Sequence, residues 1–153
     1  MGRNAGYIAL NTGIAVGALV TLIPEVPYDL ERDVIAKMKA TQKTGKQHFI
    51  IIIAEGVGHA QDLANEIQSR TGIDSRATVL GHVQRGGSPT ARDRVLATQM
   101  GNYAVKNLLM KGIGNRVVAI HQDKIVDYDI FEALNMEKHI DPELYQTALE
   151  VSI

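Results

Sequence analysis

Cysteine is absent from the chain, which excludes disulfides, thiolate metal sites and cysteine nucleophiles and fits a reducing compartment. Long apolar runs are absent too. The longest, Phe49 to Ala54, falls far short of the roughly 20 residues that cross a bilayer as a helix. Neither sign of charge dominates, with 16 Lys plus Arg against 17 Asp plus Glu, so no global field draws nucleic acid or an anionic membrane. Any anion it binds must be bound locally. Met1 is followed by Gly-Arg-Asn-Ala-Gly rather than a basic and then apolar leader, and there is no internal repeat or low-complexity linker. These absences lead us to expect a cytoplasmic protein with neither membrane nor nucleic-acid partners.

What remains is an ordinary globular composition, 45% hydrophobic and 22% charged over 153 residues, enough to bury a core. Runs rich in β-branched residues occur at 18–25, 48–55, 76–83 and 116–122 and read as strands buried on both faces. Helical segments lie between them. Over residues 28–43, Leu30, Val34, Ile35 and Met38 form one stripe behind a possible Asp29 cap. Residues 60–72 put Leu63 and Ile67 on one face and stop at Gly72. Ser88 and Pro89 suit the cap and first turn of a helix whose Val95, Leu96, Met100, Tyr103, Ala104 and Leu108 face inward. That helix should end near Gly112. Beyond 116 the pattern predicts two short strands around a turn at Gln122-Asp123, a helix ending near Met136, and a last helix from about Pro142. Strand alternating with helix implies an α/β fold with a largely parallel sheet.

In such sheets ligands bind at the carboxyl ends of the strands. Glu55 and Gly56 follow the run Phe49–Ala54, and His82 to Arg85 finish the run 76–83 in the stretch Gly-His-Val-Gln-Arg-Gly-Gly-Ser-Pro, residues 81–89. Gly86 and Gly87 would expose backbone N–H groups just before a helix, a setting suited to an anion. An imidazole and a guanidinium beside them fit a phosphate monoester, which arginine grips with two parallel charge-assisted bonds. A second reading stays open on these residues alone: an ordinary capped connection with a histidine satisfied by neighbouring carbonyls. Arg3, among glycines, reads either as a substrate-gripping arginine or as part of a mobile terminus. Asp127 and Asp129 flank Tyr128 on what reads as an exposed strand face. His121 and His139 have no ligand-like spacing to another metal-binding residue, so no metal site is expected.

The segments 1–6, 22–25, 45–56, 76–97 and 141–153 together resemble the C-terminal half of bacterial ATP-dependent 6-phosphofructokinase, over the whole chain. The most specific is Arg-Ala-Thr-Val-Leu-Gly-His-Val-Gln-Arg-Gly-Gly-Ser-Pro-Thr-Ala-Arg-Asp-Arg-Val-Leu-Ala. The resemblance implies a parallel-sheet, three-layer α/β sandwich and phosphorylation of fructose 6-phosphate. His82 and Arg85 match the family's ligands for the 6-phosphate, and Glu55 matches a carboxylate on the sugar hydroxyls. Met1, Gly2 and Arg3 match the loop between sugar and transferred phosphoryl group, with Arg3 meeting transition-state charge. Arg76 matches an arginine that reaches the neighbouring subunit's sugar-phosphate pocket within a homotetramer. Were residues 76–83 one strand, Arg76 and His82 would lie roughly 20 Å apart, too far for one phosphate.

Family members are about twice as long, so the chain resembles a fragment in which Met1 need not be an initiator. Residues 1–83 and 134–153 resemble the sugar-phosphate domain, while 84–133 resembles a segment that packs on the nucleotide domain. The loops that hold ATP, the magnesium-binding acid and the catalytic base belong to the family's other half. For an effector site the resemblance implies Gly17, Lys46 and His48, but Leu19 stands where the family has a glutamate, and Thr44 and Gln47 stand where cations are common. A weakened site is therefore expected. Two alternatives remain: pyrophosphate as the phosphoryl donor, or a non-catalytic sugar-phosphate-binding module if the chain is complete.

Overall fold

A computed structural model of the chain describes residues 4–137 and 139–152. It divides into two compact units, Met1–Val79 with His139–Ile153, and Leu80–Lys138.

In the first unit α1 (Tyr7–Ala15) leads to β1 (Val20–Leu22), which pairs in parallel with β2 (Ile51–Ile53) in the register Val20↔Ile51, Leu22↔Ile53. Gly17 ends α1 in a left-handed conformation, φ 61°, with the Ala18 N–H donating to the Gly13 carbonyl at 2.8 Å. Only a residue without a Cβ takes that φ without strain. Gly13 matters for another reason: a Cβ there would lie 1.9 Å from Thr21 Oγ1, so α1 and β1 approach closely because this residue is glycine.

The stretch between the strands forms a π-helical turn, Leu30–Ile35, that continues as α2 (Ala36–Gln42). Asp29 caps it as expected, accepting from the Arg32 N–H at 2.7 Å. The expected stripe is the core-facing one: Val34, Ile35 and Met38 are fully buried. Val34 and Met38 pack with Leu19, Val20, Leu22 and with Ile67 of α3 (Ala60–Thr71). Gly72 stops α3 at φ 73°, again as its position predicts. α6 (Pro142–Glu150), capped by Asp141, returns to this unit and packs on α1 and β1.

In the second unit α4 (Ala91–Tyr103) runs on through a π-helical turn, Ala104–Leu108, to Lys111 and stops at Gly112, φ 67°. β3 (Arg116–His121) and β4 (Lys124–Asp129) form an antiparallel hairpin. Its turn is Gln122-Asp123, with φ 50° and 59°, the doubly left-handed geometry that matches the strands' twist. α5 (Ile130–Asn135) follows.

Three expectations need correction here. Residues 76–80 form no strand, and Val79 and Leu80 are 78% and 60% exposed. Thr-Val-Leu prefers extended backbone, but a strand holds only with a neighbour to pair and pack against, and none of the described strands pairs with it. The run 116–122 is a strand but not one buried on both faces; Val117 and Ile120 stay exposed on a two-stranded ribbon. Of the α4 residues expected to face inward, Leu108 is buried and Leu96, Met100, Tyr103 and Ala104 half-buried, whereas Val95 is exposed.

Candidate functional site

Glu55 stands where the strand-end rule expects it. β2 ends at Ile53, the Ala54 N–H donates to the Leu22 carbonyl at 2.9 Å, and Glu55 opens a single 3₁₀ turn, Glu55–Val57, at the carboxyl ends of both strands. Beside it is a cavity of about 320 Å³ lined by Ile23, Pro24, Val26, Pro27, Tyr28, Gly56 and Val57. The lining is apolar apart from backbone and the Tyr28 hydroxyl. It could take the body of a small organic ligand, while a charged group would need Glu55 or its neighbours.

His82 and Arg85 lie in the second unit on one 3₁₀ turn, Gly81–Arg85, and both are exposed. The turn starts at Gly81 with φ 55°. The expected phosphate cradle behind them is altered. The Gly86 N–H is already used, donating to the Val83 carbonyl at 3.1 Å. The cap of α4 is Thr90 rather than Ser88: Thr90 Oγ1 accepts from the Asp93 N–H at 3.3 Å, and Asp93 Oδ2 accepts from the Thr90 N–H at 2.8 Å. Thr90 and Asp93 stand three apart, the spacing of a capping box, which Ser88 with Ala91 cannot make. The hydroxyl and backbone N–H of Thr90 hold the Asp93 carboxyl below its ordinary range. A carboxylate thus sits in the first turn of the helix, while the His82 and Arg85 side chains remain exposed.

Arg76 lies in the first unit and pairs with Asp74, Nη2 to Oδ2 3.2 Å, with the two side chains 86% and 70% exposed. Such a pair holds its arginine loosely. Met1, Gly2 and Arg3 lie outside the described residues. Of the effector candidates, Gly17 has the structural task given above, Lys46 is half-buried and His48 exposed. Thr44 turns its hydroxyl to the Thr41 carbonyl at 2.7 Å, and Leu19 is buried in the first core.

The reading of Asp127 and Asp129 as an exposed face is overturned. Asp127 accepts from Tyr103 Oη and from Arg116 Nε, each at 2.5 Å, and its side chain is 18% exposed. The Tyr103 bond first, then Arg116, holds its carboxyl below the ordinary range, and the same bond raises the Tyr103 phenol. Asp129 caps α5, accepting from the Phe131 and Glu132 N–H groups. The local signal for Asp129 was its place before Ile-Phe-Glu, a cap with an acid at the third position. Asp127 had no local signal, because its partners lie 11 and 24 residues away.

Among the described residues no group of three or more His, Asp or Glu side chains is arranged to hold a metal ion. No helix of the described residues is long and apolar enough to cross a membrane.

Comparison with known proteins gives a consistent result. A family model described as Phosphofructokinase matches residues 1–108. The ATP-dependent 6-phosphofructokinase of Bacillus cytotoxicus is 54% identical over 153 residues, all of this chain and 47% of the relative; that of Bacillus thuringiensis matches with the same identity and coverage. The chain thus spans about half the length of the curated relatives it matches. A phosphofructokinase from Saccharomyces cerevisiae superposes with a TM-score of 0.75 at 33% identity, over 100% of this chain and 22% of that one. The T-state enzyme of Pichia pastoris gives 0.74 at 33% identity, over 99% and 17%.

Proposed function

Because this chain belongs to the phosphofructokinase family, we propose that the protein carrying it transfers the γ-phosphoryl group of ATP to fructose 6-phosphate, and that these residues supply the sugar-phosphate side. The observation that carries the proposal is 54% identity to ATP-dependent 6-phosphofructokinases through all 153 residues. The products are fructose 1,6-bisphosphate and ADP, made in the cytoplasm as a step of glycolysis.

Phosphoryl transfer needs little covalent help and much positioning and charge stabilisation. His82 and Arg85 bind the non-reacting 6-phosphate; their exposure on a short turn leaves both able to meet a ligand. Glu55 accepts from sugar hydroxyls. Met1 and Gly2 line the sugar, and Arg3 meets charge developing on the transferred group. The base that takes the proton of the attacking hydroxyl, and the loops that hold ATP, come from outside this chain. Magnesium supplies charge neutralisation on the nucleotide when bound, through ligands that are also outside it.

The protein acts as a homotetramer in which Arg76 serves the neighbouring subunit's pocket. Residues 1–83 and 134–153 form the substrate and effector part, and 84–133 packs with the nucleotide domain. Gly17, Lys46 and His48 contribute to an effector site weakened by Leu19, Thr44 and Gln47.

The test is a coupled assay of the full-length protein with fructose 6-phosphate and either ATP or pyrophosphate, beside the 153-residue chain alone. Turnover with ATP by the full-length protein and none by the chain alone is the expected result. Full-length protein that turns over only with pyrophosphate, or not at all, or a chain that is competent by itself, would sink the proposal.

A further inference from the structure

We propose that Tyr28 contacts the body of the sugar phosphate, in the cavity of about 320 Å³ beyond β1 and β2, and helps to set which sugar the protein accepts; the inference rests on the function proposed above. The cavity lies at the carboxyl ends of two parallel strands, where α/β sheets place their ligands, and Gly56 and Val57, the residues after Glu55, form part of its wall. Its volume is at the lower end of the range of small-molecule sites. Among the side chains that line it, Tyr28 alone carries a polar group.

The fold itself makes little use of that side chain. Tyr28 immediately precedes Asp29, the cap of the π-helical turn Leu30–Ile35, and an apolar residue in that place ordinarily packs on the fourth residue of the helix. Here the fourth residue is Asp33, whose carboxylate instead accepts from the Asp29 N–H at 2.7 Å. The ring has no apolar staple to make. Tyr28 is also absent from the side chains packed on either buried cluster, its hydroxyl bonds to no described residue, and it is 37% exposed. A phenol so placed offers a ring to the C–H face of a sugar and an O–H to one of its hydroxyls.

The segment that carries Tyr28 is nevertheless held on both sides. Upstream, the Val26 N–H donates to the Ile23 carbonyl at 3.3 Å, Val26 packs against the cluster of Ala9, Ile23 and Ala54, and Glu25 Oε1 accepts from the Gly6 N–H at 2.8 Å. Pro27 then fixes its own φ. Downstream, Asp29 is held by the Arg32 N–H, which donates to its carboxylate, and by its own N–H bond to Asp33. A side chain whose backbone is fixed at both flanks loses less freedom when a ligand arrives.

The test is Tyr28→Phe and Tyr28→Ala in the full-length protein, read by steady-state kinetics and by inhibition with inorganic phosphate. One lost hydrogen bond corresponds to roughly 3- to 10-fold in affinity, so Tyr28→Phe should raise the KM for fructose 6-phosphate by that factor and leave the KM for ATP within about twofold of wild type. Tyr28→Ala, which also removes the ring, should raise the sugar KM further. Inorganic phosphate, which has no sugar body, should compete with fructose 6-phosphate with an inhibition constant within about twofold of wild type in both variants. A wild-type sugar KM in Tyr28→Phe would overturn the inference, as would parallel changes for fructose 6-phosphate, ATP and inorganic phosphate, which mark a role in folding. Should Tyr28→Ala fail to fold, Tyr28→Phe, which keeps the ring, decides by itself. An unsubstituted protein that neither binds nor phosphorylates fructose 6-phosphate refutes the proposed function and this inference with it, whereas an active unsubstituted protein with unmoved variants refutes the inference alone.

Discussion

The phenol of Tyr103, at the end of α4, donates to Asp127 on β4, and Arg116 on β3 holds the other oxygen of the same carboxylate. One acid thus joins three elements of the second unit. Tyr103→Phe should lower the urea midpoint of the full-length protein, and should have little further effect when Asp127 is already alanine, because the two share a bond. Additive losses in the double variant would show that Tyr103 acts through something else.

Asp33 should make stability depend on acid. Its carboxyl is lowered from 3.8 to about 2, first by the Arg32 guanidinium, which donates Nε and Nη2 at 2.7 and 2.8 Å, then by the Asp29 N–H. A depressed value in the folded state means that the stabilisation is present above the unfolded value and disappears as the pH falls through the folded one. Wild type should melt above Asp33→Asn at neutral pH, and the gap should close between 3.8 and about 2. A gap that persists undiminished through that window would refute the assignment.

Gly13→Ala sets two effects against each other. Alanine gains about 1 kcal/mol of helix propensity, but its Cβ would lie 1.9 Å from Thr21 Oγ1 and 3.1 Å from Thr21 Cβ, and overpacking of that kind costs about 1–3 kcal/mol. The clash involves buried atoms and should win, for a net loss of about 1 kcal/mol or more. Adding Thr21→Ala should recover most of it in urea unfolding.

Arg85→Ala in the full-length protein should raise the KM for fructose 6-phosphate far more than that for ATP, since a charge-assisted contact to a non-reacting phosphate is mainly binding energy. Some loss of turnover should accompany it, because remote binding energy helps position the reacting hydroxyl. Equal effects on both substrates in steady-state kinetics would indicate a folding role for Arg85.

Arg76→Ala and His82→Ala enzymes should each bind sugar phosphate poorly, while hybrids assembled from both should regain some intact pockets, as reciprocal sharing across a two-fold interface requires. Hybrids with only the mean activity of the parents would leave Arg76 with no more than its exposed pair to Asp74.

Local chemistry was legible without coordinates. Asp29, Gly72, Gly112, the Gln122-Asp123 turn and the start of α6 at Pro142 were all readable from signals within a few residues, because caps and turns are made by neighbours in sequence. The family resemblance and the α/β class were likewise present in the residues, and the family match and superpositions agree with both. Tertiary structure decided whatever depends on partners far along the chain. Residues 76–80 carry strand propensity yet form no strand, since pairing belongs to two segments and not to one. Thr90 rather than Ser88 caps α4 for a reason that is itself local, because Asp93, three residues on, completes the reciprocal bonds that Ala91 cannot. Asp127 found Tyr103, and Glu25 found Gly6, across 24 and 19 residues; only the fold brings such acids to their donors, since no periodicity in sequence encodes a distance in space.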